Sequence, residues 1–322
     1  MKFPKPVYYL SAIGTAAGIS FCVKDYMSGG TFESDIRADG KVIVVTGANT
    51  GIGKETAREL AKRGAHVYMA CRDMERCEKA REEIVLETKN KYVYCRKCDL
   101  SSLNSVREFS KVMHNERKHI DVLINNAGVM RCPLSRTSEG FEMQLGVNHL
   151  GHFLLTNLLL DMLKASPSAR IVHVSSLAHT RGKINIEDLN SDHSYDPGAA
   201  YNQSKLANIM FSNELAKRLE GTNVTSNALH PGVVDTELVR HMPIFTSSVS
   251  KHILKFLLWP FVKTPISGAQ TSLHVALHPD LEGVNGKYFS DCKEKQVAVQ
   301  ATDSKTASWL WAVSEKWTGL IN

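Results

Sequence analysis

Blocks of like charge, internal repeats and low-complexity tracts are all missing from these 322 residues. The 39 lysines and arginines outnumber the 33 acids by six, yet they interleave with acids, as in the run REFSKVMHNERKH that starts at Arg107. A basic stripe that could follow a phosphate backbone is therefore lacking, which excludes nucleic acid as a partner. Cysteine is sparse and odd in number: Cys22, Cys71, Cys77, Cys95, Cys98, Cys132 and Cys292 are scattered. That spacing argues against a disulfide scaffold and for a reducing compartment or a non-structural role. Cys95 and Cys98 form a lone CxxC with no second ligand pair, on a stretch that reads as a strand, so no metal site is expected. The glycosylation sequons at Asn202 and Asn223 are read as chance matches. With 43% hydrophobic residues and 22% charged residues, disorder and a polytopic membrane protein are excluded as well.

Long apolar runs are equally scarce, with one exception at the amino end. Val7 to Val23 carries no charge and is flanked by Lys2, Lys5, Lys24 and Asp25. As a helix this stretch would reach ~26 Å, a little less than the ~30 Å hydrocarbon core of a bilayer. Residues 1–26 are read as a membrane-anchor segment, a tilted span being favoured over an in-plane helix or a cleaved signal. Residues 27–40 then read as a polar linker.

From Lys41 onward, short β-branched runs alternate with helical stretches. The runs begin at Val42, His66, Lys91, Asp121, Ala169 and Asn223. Repeated βαβ units predict an α/β fold: one domain over 41–322, a doubly wound parallel sheet with helices on both faces and its ligand crevice at the carboxyl ends of the strands. A polar loop at 181–200 and an apolar insertion at 235–265 break the alternation.

The first strand runs into TGANTGIG, Thr46 to Gly53, and then into a helix. Glycines at such a turn let backbone amides approach a pyrophosphate, and the helix amino terminus favours its charge. Here they stand at Gly47, Gly51 and Gly53. NNAG follows at Asn125 to Gly128 and YNQSK at Tyr201 to Lys205. Four residues apart on a helix, Tyr201 and Lys205 share a face, which brings an ammonium near a phenol. Lowering a tyrosine from pKa ~10 to about 7 takes roughly 4 kcal/mol of anion stabilisation, and such a cation can supply part of it.

In these three motifs the sequence resembles the short-chain dehydrogenase/reductase family, from about Lys41 to Phe289. The resemblance implies a Rossmann fold that holds a nicotinamide dinucleotide. Its catalytic residues would be Asn148, Ser176, Tyr201 and Lys205. Tyr201 would act as the acid, Ser176 would hold the substrate oxygen with Ser175 as rival, and Asn148 would support a proton relay through Lys205. Gly47, Ala48, Asn49, Thr50, Gly51, Ile52 and Gly53 would cradle the pyrophosphate, Asp99 would meet the adenine, and Asn126, Ala127 and Gly128 would wall the ribose. Pro231, Val233 and Thr236 would fix the carboxamide, and Tyr201 and Lys205 would also touch the cofactor. His149, His152 and His179 are read as packing or pocket-lining residues.

Cofactor choice turns on the end of the second strand, where an acid usually selects NAD. Arg72 stands there instead, and its guanidinium suits a 2′-phosphate. Lys54 is expected to add a second charge and Asp73 dissents, so the cofactor is read as NADP(H).

Within the family, ACRDMERCEKA, NNAGVMRCP, GFEMQLGVNHLGHFLLTNLLL, VSSLAH and ALHPGVV resemble the microsomal and mitochondrial retinol dehydrogenases. The implied activity is interconversion of a lipophilic aldehyde or ketone with its alcohol, all-trans-retinal and retinol first. Other lipid or steroid carbonyls, or a non-catalytic NADPH-binding scaffold or redox sensor, are the alternatives. The resemblance places the protein on a membrane, the mitochondrial inner membrane before the endoplasmic reticulum, and admits a homo-oligomer. In the insertion, Ile253, Leu254, Leu257, Leu258 and Phe261 fall on one helical face, with Phe256 and Trp259 beside them and Lys251, Lys255 and Lys263 at the flanks. A substrate lid that dips toward the bilayer is expected there.

Overall fold

The computed structural model describes residues 5–32, 35–238 and 259–321. Each of the six β-branched runs forms a strand: β1 Val42–Thr46, β2 His66–Cys71, β3 Val93–Lys97, β4 Val122–Asn125, β5 Ala169–Val174 and β6 Val224–His230. Two three-residue strands follow, β7 Tyr288–Ser290 and β8 Lys293–Lys295. The sheet order is β3-β2-β1-β4-β5-β6-β7-β8, parallel throughout except for β8, which runs antiparallel to β7. The all-parallel expectation is corrected at that edge, where the exposed KEK strand closes the sheet with charge.

The helices are α1 Lys5–Ser28, α2 Gly51–Lys62, α3 Met74–Thr88, α4 Leu103–Glu116, α5 Met143–Leu145, α6 Gly151–Leu158, α7 Leu160–Lys164, α8 Pro197–Arg218, α9 Pro265–Leu277 and α10 Ser304–Trp317. Alternate strand residues feed two cores. Ile43, Val45, Val67 and Met69 pack with Leu60, Ile84 and Leu273 on one face. On the other, Val44, Tyr68 and Leu123 pack with Phe109, Phe153, Phe211 and Trp311. Because the chain leaves β1 toward β2 and β3 and returns to β4 on the opposite side, a crevice opens beyond the carboxyl ends of β1 and β4.

Three features bear on the expectations from sequence. Cys77 on α3 and Cys95 on β3 form a disulfide with Cα atoms 6.0 Å apart, so the fold pairs two of the seven cysteines, and the CxxC partner of Cys95 stays free. Within the segment read as a linker, Phe32 is packed against the body. Phe32 is buried, its amide donates to Gln270 Oε1 at 3.0 Å, and the Arg63 guanidinium lies 4.8 Å from its ring. Finally, no helix among the described residues is long and apolar enough to cross a membrane.

The far end of α1 rests on the 3-10 turn Trp259–Phe261. Lys24 Nζ donates to the carbonyls of Trp259 and Val262, and the Phe21 and Trp259 rings meet edge-on at 5.3 Å. The expected lid face of Ile253, Leu254, Phe256, Leu257 and Leu258, with Lys251 and Lys255, lies outside the described residues. The two stems of that insertion are joined: Lys263 N donates to Val233 O at 2.7 Å and Asp235 N to Lys263 O at 3.0 Å.

Candidate active site

The turn from β1 into α2 forms the floor of the site. Gly47 has φ +65°, and a Cβ there would lie 2.9 Å from that of Ala127. At Gly53 a Cβ would come within 2.4 Å of the Gly47 carbonyl oxygen. Both approaches need glycine. Thr50 stands at the N-cap of α2 but makes no side-chain cap hydrogen bond, so the first-turn amides remain directed at the crevice. Asn126 Nδ2 donates to Thr46 O at 2.8 Å, which locks NNAG against the loop.

An open cleft of about 1100 Å³, counting the solvent at its mouth, follows this floor. Gly47, Asn49, Thr50, Gly51, Ile52 and Gly53 line it, together with Arg72, Asp99, Asn126, Ala127, Gly128 and Thr236. Ala48 is buried beneath the turn. Pro231 and Val233 do not line the cleft, and Val233 is exposed with its carbonyl engaged by Lys263. Glycine clearance together with uncapped amides fits a dinucleotide pyrophosphate.

At the far rim Arg72 is exposed at the end of β2. Asp73 also lines the cleft, while its carboxylate caps α3 by accepting Arg76 N at 3.0 Å. Lys54 is turned away: it pairs with Glu83 and does not line the cleft. Arg76 takes that place, lining the cleft while pairing with Glu237 at 2.6 Å. The sequence did carry a signal for it, since a basic residue in a first helical turn opposes the macrodipole unless an anion is near.

The other end of the cleft is buried. α8 starts at Pro197 with Asp196 as cap, its carboxylate accepting Ala199 N at 2.6 Å. One turn in, Tyr201 and Lys205 are both buried, the ammonium 5.8 Å from the centre of the phenol ring. Lys205 Nζ donates to Val174 O at 3.0 Å, and a Cβ on Gly128 would lie 3.5 Å from that nitrogen. The ammonium therefore abuts the wall of the nucleotide cleft. Burial pushes Lys205 down to about 8 and Tyr201 up to about 12, while a hydrogen bond with Ser176 pulls Tyr201 back toward its usual range.

Packing separates the two serines. Ser175 is buried and its hydroxyl donates to Lys205 O at 2.7 Å. Ser176 is less buried, caps the 3-10 turn Leu177–Arg181 by accepting Ala178 N, and sits beside Tyr201. Asn148 lies in a π turn, Gly146–Leu150, that interrupts the helix between α5 and α6. Its side-chain amide donates to Val129 O at 3.0 Å and Ser204 Oγ at 2.9 Å, while its oxygen accepts Val129 N at 2.8 Å. His149 bonds to Ser314 at 2.8 Å, and His179 Nδ1 meets Ser176 O at 2.7 Å; both are buried, in keeping with packing roles. Among the described residues no cluster of histidine, cysteine and acids could hold a metal.

A doubly wound sheet, a glycine turn fit for a dinucleotide, and a buried tyrosine-lysine pair beside a serine define an oxidoreductase of the short-chain type. Residues 41–244 match the family model for short chain dehydrogenase, and the chain belongs to that family. It is 53% identical over 312 residues to retinol dehydrogenase 13 of Homo sapiens, covering 97% of this chain and 94% of that protein. Retinol dehydrogenase 12 of the same organism is 55% identical over 298 residues, 92% of each chain. A crystal structure of an uncharacterised protein from Mycobacterium paratuberculosis matches with a TM-score of 0.73 and 37% identity, covering 90% of this chain and 98% of that one.

Proposed function

We propose that this protein is an NADP(H)-dependent oxidoreductase that interconverts a lipophilic aldehyde or ketone and its alcohol, with all-trans-retinal and retinol as the leading pair. The observation that carries the reading is the cluster of buried Tyr201, Lys205 and Asn148 with half-buried Ser176 at the inner end of a nucleotide-shaped cleft. The loop from Gly47 to Gly53 would hold the pyrophosphate, Asp99 and Asn126 the adenosine side, and Arg72 with Arg76 a 2′-phosphate. When bound, NADPH supplies the hydride. Tyr201 donates the proton to the carbonyl oxygen, Ser176 orients that oxygen, and the Lys205 ammonium stabilises the phenolate left behind. The retinoid assignment draws on the two human relatives named for retinol. In a cell whose NADPH pool is largely reduced, the direction is carbonyl reduction.

The uncharged stretch from Val7 to Val23 supports a membrane-associated protein held by its amino-terminal segment. The mitochondrial inner membrane is preferred and the endoplasmic reticulum is the alternative. Purified full-length protein assayed with NADPH and NADH against retinal, a steroid ketone and a short alkyl aldehyde tests the reading. The expected result is NADPH preference and the highest kcat/KM with retinal. Preference for NADH, or NADPH binding with no turnover of any carbonyl, would overturn it, the latter in favour of the scaffold alternative.

A further inference from the structure

His152, one helical turn beyond Asn148, is fully buried, and neither ring nitrogen is idle. Nδ1 lies 3.0 Å from the main-chain oxygen of Asn148. A carbonyl only accepts, so Nδ1 carries the hydrogen and Nε2 is left as an acceptor. Nε2 is 2.8 Å from Thr46 Oγ1. The Thr46 hydroxyl itself accepts Asn126 N and Ala127 N, each at 2.9 Å, and gives its own hydrogen to the ring in preference to Ile124 O at 3.4 Å. Every donor and acceptor is assigned in one tautomer only. Burial keeps the imidazolium down to about 4, so the ring is neutral at working pH.

The resulting chain of hydrogen bonds crosses the site. It starts at the NNAG backbone, which walls the nucleotide cleft, and passes through Thr46 and His152 to the carbonyl of Asn148. From the same residue the Asn148 amide continues to Ser204, beside Lys205, and to Val129, beside Gly128. We propose that His152 is a positioning residue with two separable jobs. Through Thr46 it sets the cofactor wall, and through Asn148 it sets the π turn that braces the lysine. The second job rests on the proposed function, whereas the first concerns nucleotide binding alone. A histidine that merely filled space would be replaceable by phenylalanine, and its two hydrogen bonds would not divide between binding and turnover.

Asparagine and glutamine split the two contacts. In His152→Asn the side-chain amide nitrogen can occupy the place of Nδ1 and donate to Asn148, but it does not reach Thr46. In His152→Gln the amide oxygen can reach Thr46 in place of Nε2, and the donor to Asn148 is lost. On the full chain, the expected loss for one buried hydrogen bond is about tenfold. His152→Asn should weaken the Kd for NADPH by that factor, measured by ligand fluorescence, and leave kcat with retinal within about threefold. His152→Gln should do the reverse, and His152→Phe should lose both. Thr46→Val should reproduce the Kd effect and be non-additive with His152→Asn in a double-mutant cycle. Equal losses in the Asn and Gln variants, near-native values for His152→Phe, or additivity with Thr46→Val would overturn the proposal. If the single variants at 152 melt before assay, the Thr46→Val Kd decides, since an unchanged value removes the coupling. Parent protein that binds NADPH but reduces no carbonyl defeats the proposed function and leaves the Kd arms readable.

Discussion

The two ends of the nucleotide cleft are built on different principles. At the inner end Asn148, Tyr201 and Lys205 are buried, and backbone carbonyls and neighbouring hydroxyls hold the asparagine amide and the ammonium. At the outer rim Arg72 is exposed, and the Arg76–Glu237 pair is about half exposed, 49% and 46%. Removing a partner from a buried network strands polar groups at about 1–3 kcal/mol each. Exposed ion pairs contribute about 0–1 kcal/mol. The inner end should therefore set whether the protein works, and the rim should set only which cofactor it prefers.

The hardest test of that contrast is Tyr201→Phe. Turnover should fall by about 10²–10⁴, the range for removing a general acid, while NADPH affinity stays within a few-fold. Lys205→Met should damage both, because the ammonium also abuts the cleft wall at Gly128. As pH rises through about 8, Lys205 loses its proton. NADPH affinity of the parent should decline across that interval, and the variant should show no such decline. A Tyr201→Phe protein with near-native turnover would erase the difference between the two ends.

Acid stability gives a second, smaller contrast. His149 is pushed down to about 3, His152 to about 4 and His173 to about 3, each because burial penalises the charged ring. Unfolded histidines titrate near 6.5. Between about 6.5 and 4 the unfolded chain thus binds protons that the folded chain refuses, so stability falls with falling pH. The slope approaches ~1.4 kcal/mol per pH unit for each histidine. Glu142, whose carboxyl burial holds above its usual range, works in the opposite sense in the carboxylate range. Calorimetric Tm values from pH 7.5 to 4.5 should drop steeply in the parent and less in His173→Gln. Lys54→Ala, on the rim side, should leave the slope unchanged, and a flat parent curve would mean that these rings are not sealed from water.

The same contrast explains what could be read from the sequence. Periodicity, glycine spacing and the Tyr201–Lys205 interval are local, and they yielded β1 to β6, the glycine turn from β1 into α2, and the helix α8 that carries Tyr201 and Lys205. Strands β7 and β8, three residues each, are too short to show alternation. Cys77 and Cys95 stand 18 residues apart and meet only because α3 folds back over β3. Phe32 sits among polar neighbours and gains its burial from α9 and Arg63. Only with α8 in place do Ser175 and Ser176 differ in surroundings, since the Ser175 hydroxyl donates to Lys205 O while Ser176 sits beside Tyr201. Lys54 is turned from the cleft by its pairing with Glu83, and side-chain pairing on a surface leaves no periodic trace.

At the rim, Arg72→Asp should lower the preference for NADPH over NADH by about tenfold or more, through loss of a charge-assisted contact and gain of repulsion. Arg76→Ala should lower it less, since that guanidinium is already shared with Glu237. An unchanged preference in both variants would move cofactor selection away from the rim.

The smallest effect expected is at Glu237. Its carboxylate holds Arg76 at 2.6 Å, and both residues line the cleft, so a phosphate arriving there meets an arginine partly neutralised and an acid that repels it. Glu237→Gln removes the repulsion and keeps an acceptor for the guanidinium. NADPH should bind about two- to threefold more tightly, as expected for one exposed charge. The gain should fade with added salt, and NADH should be unaffected because it lacks the phosphate. Weaker binding of both cofactors would carry a different message: the pair would then serve mainly to hold residues 236–238 over the cleft. That outcome would make part of the rim a closure device and narrow the difference between the two ends.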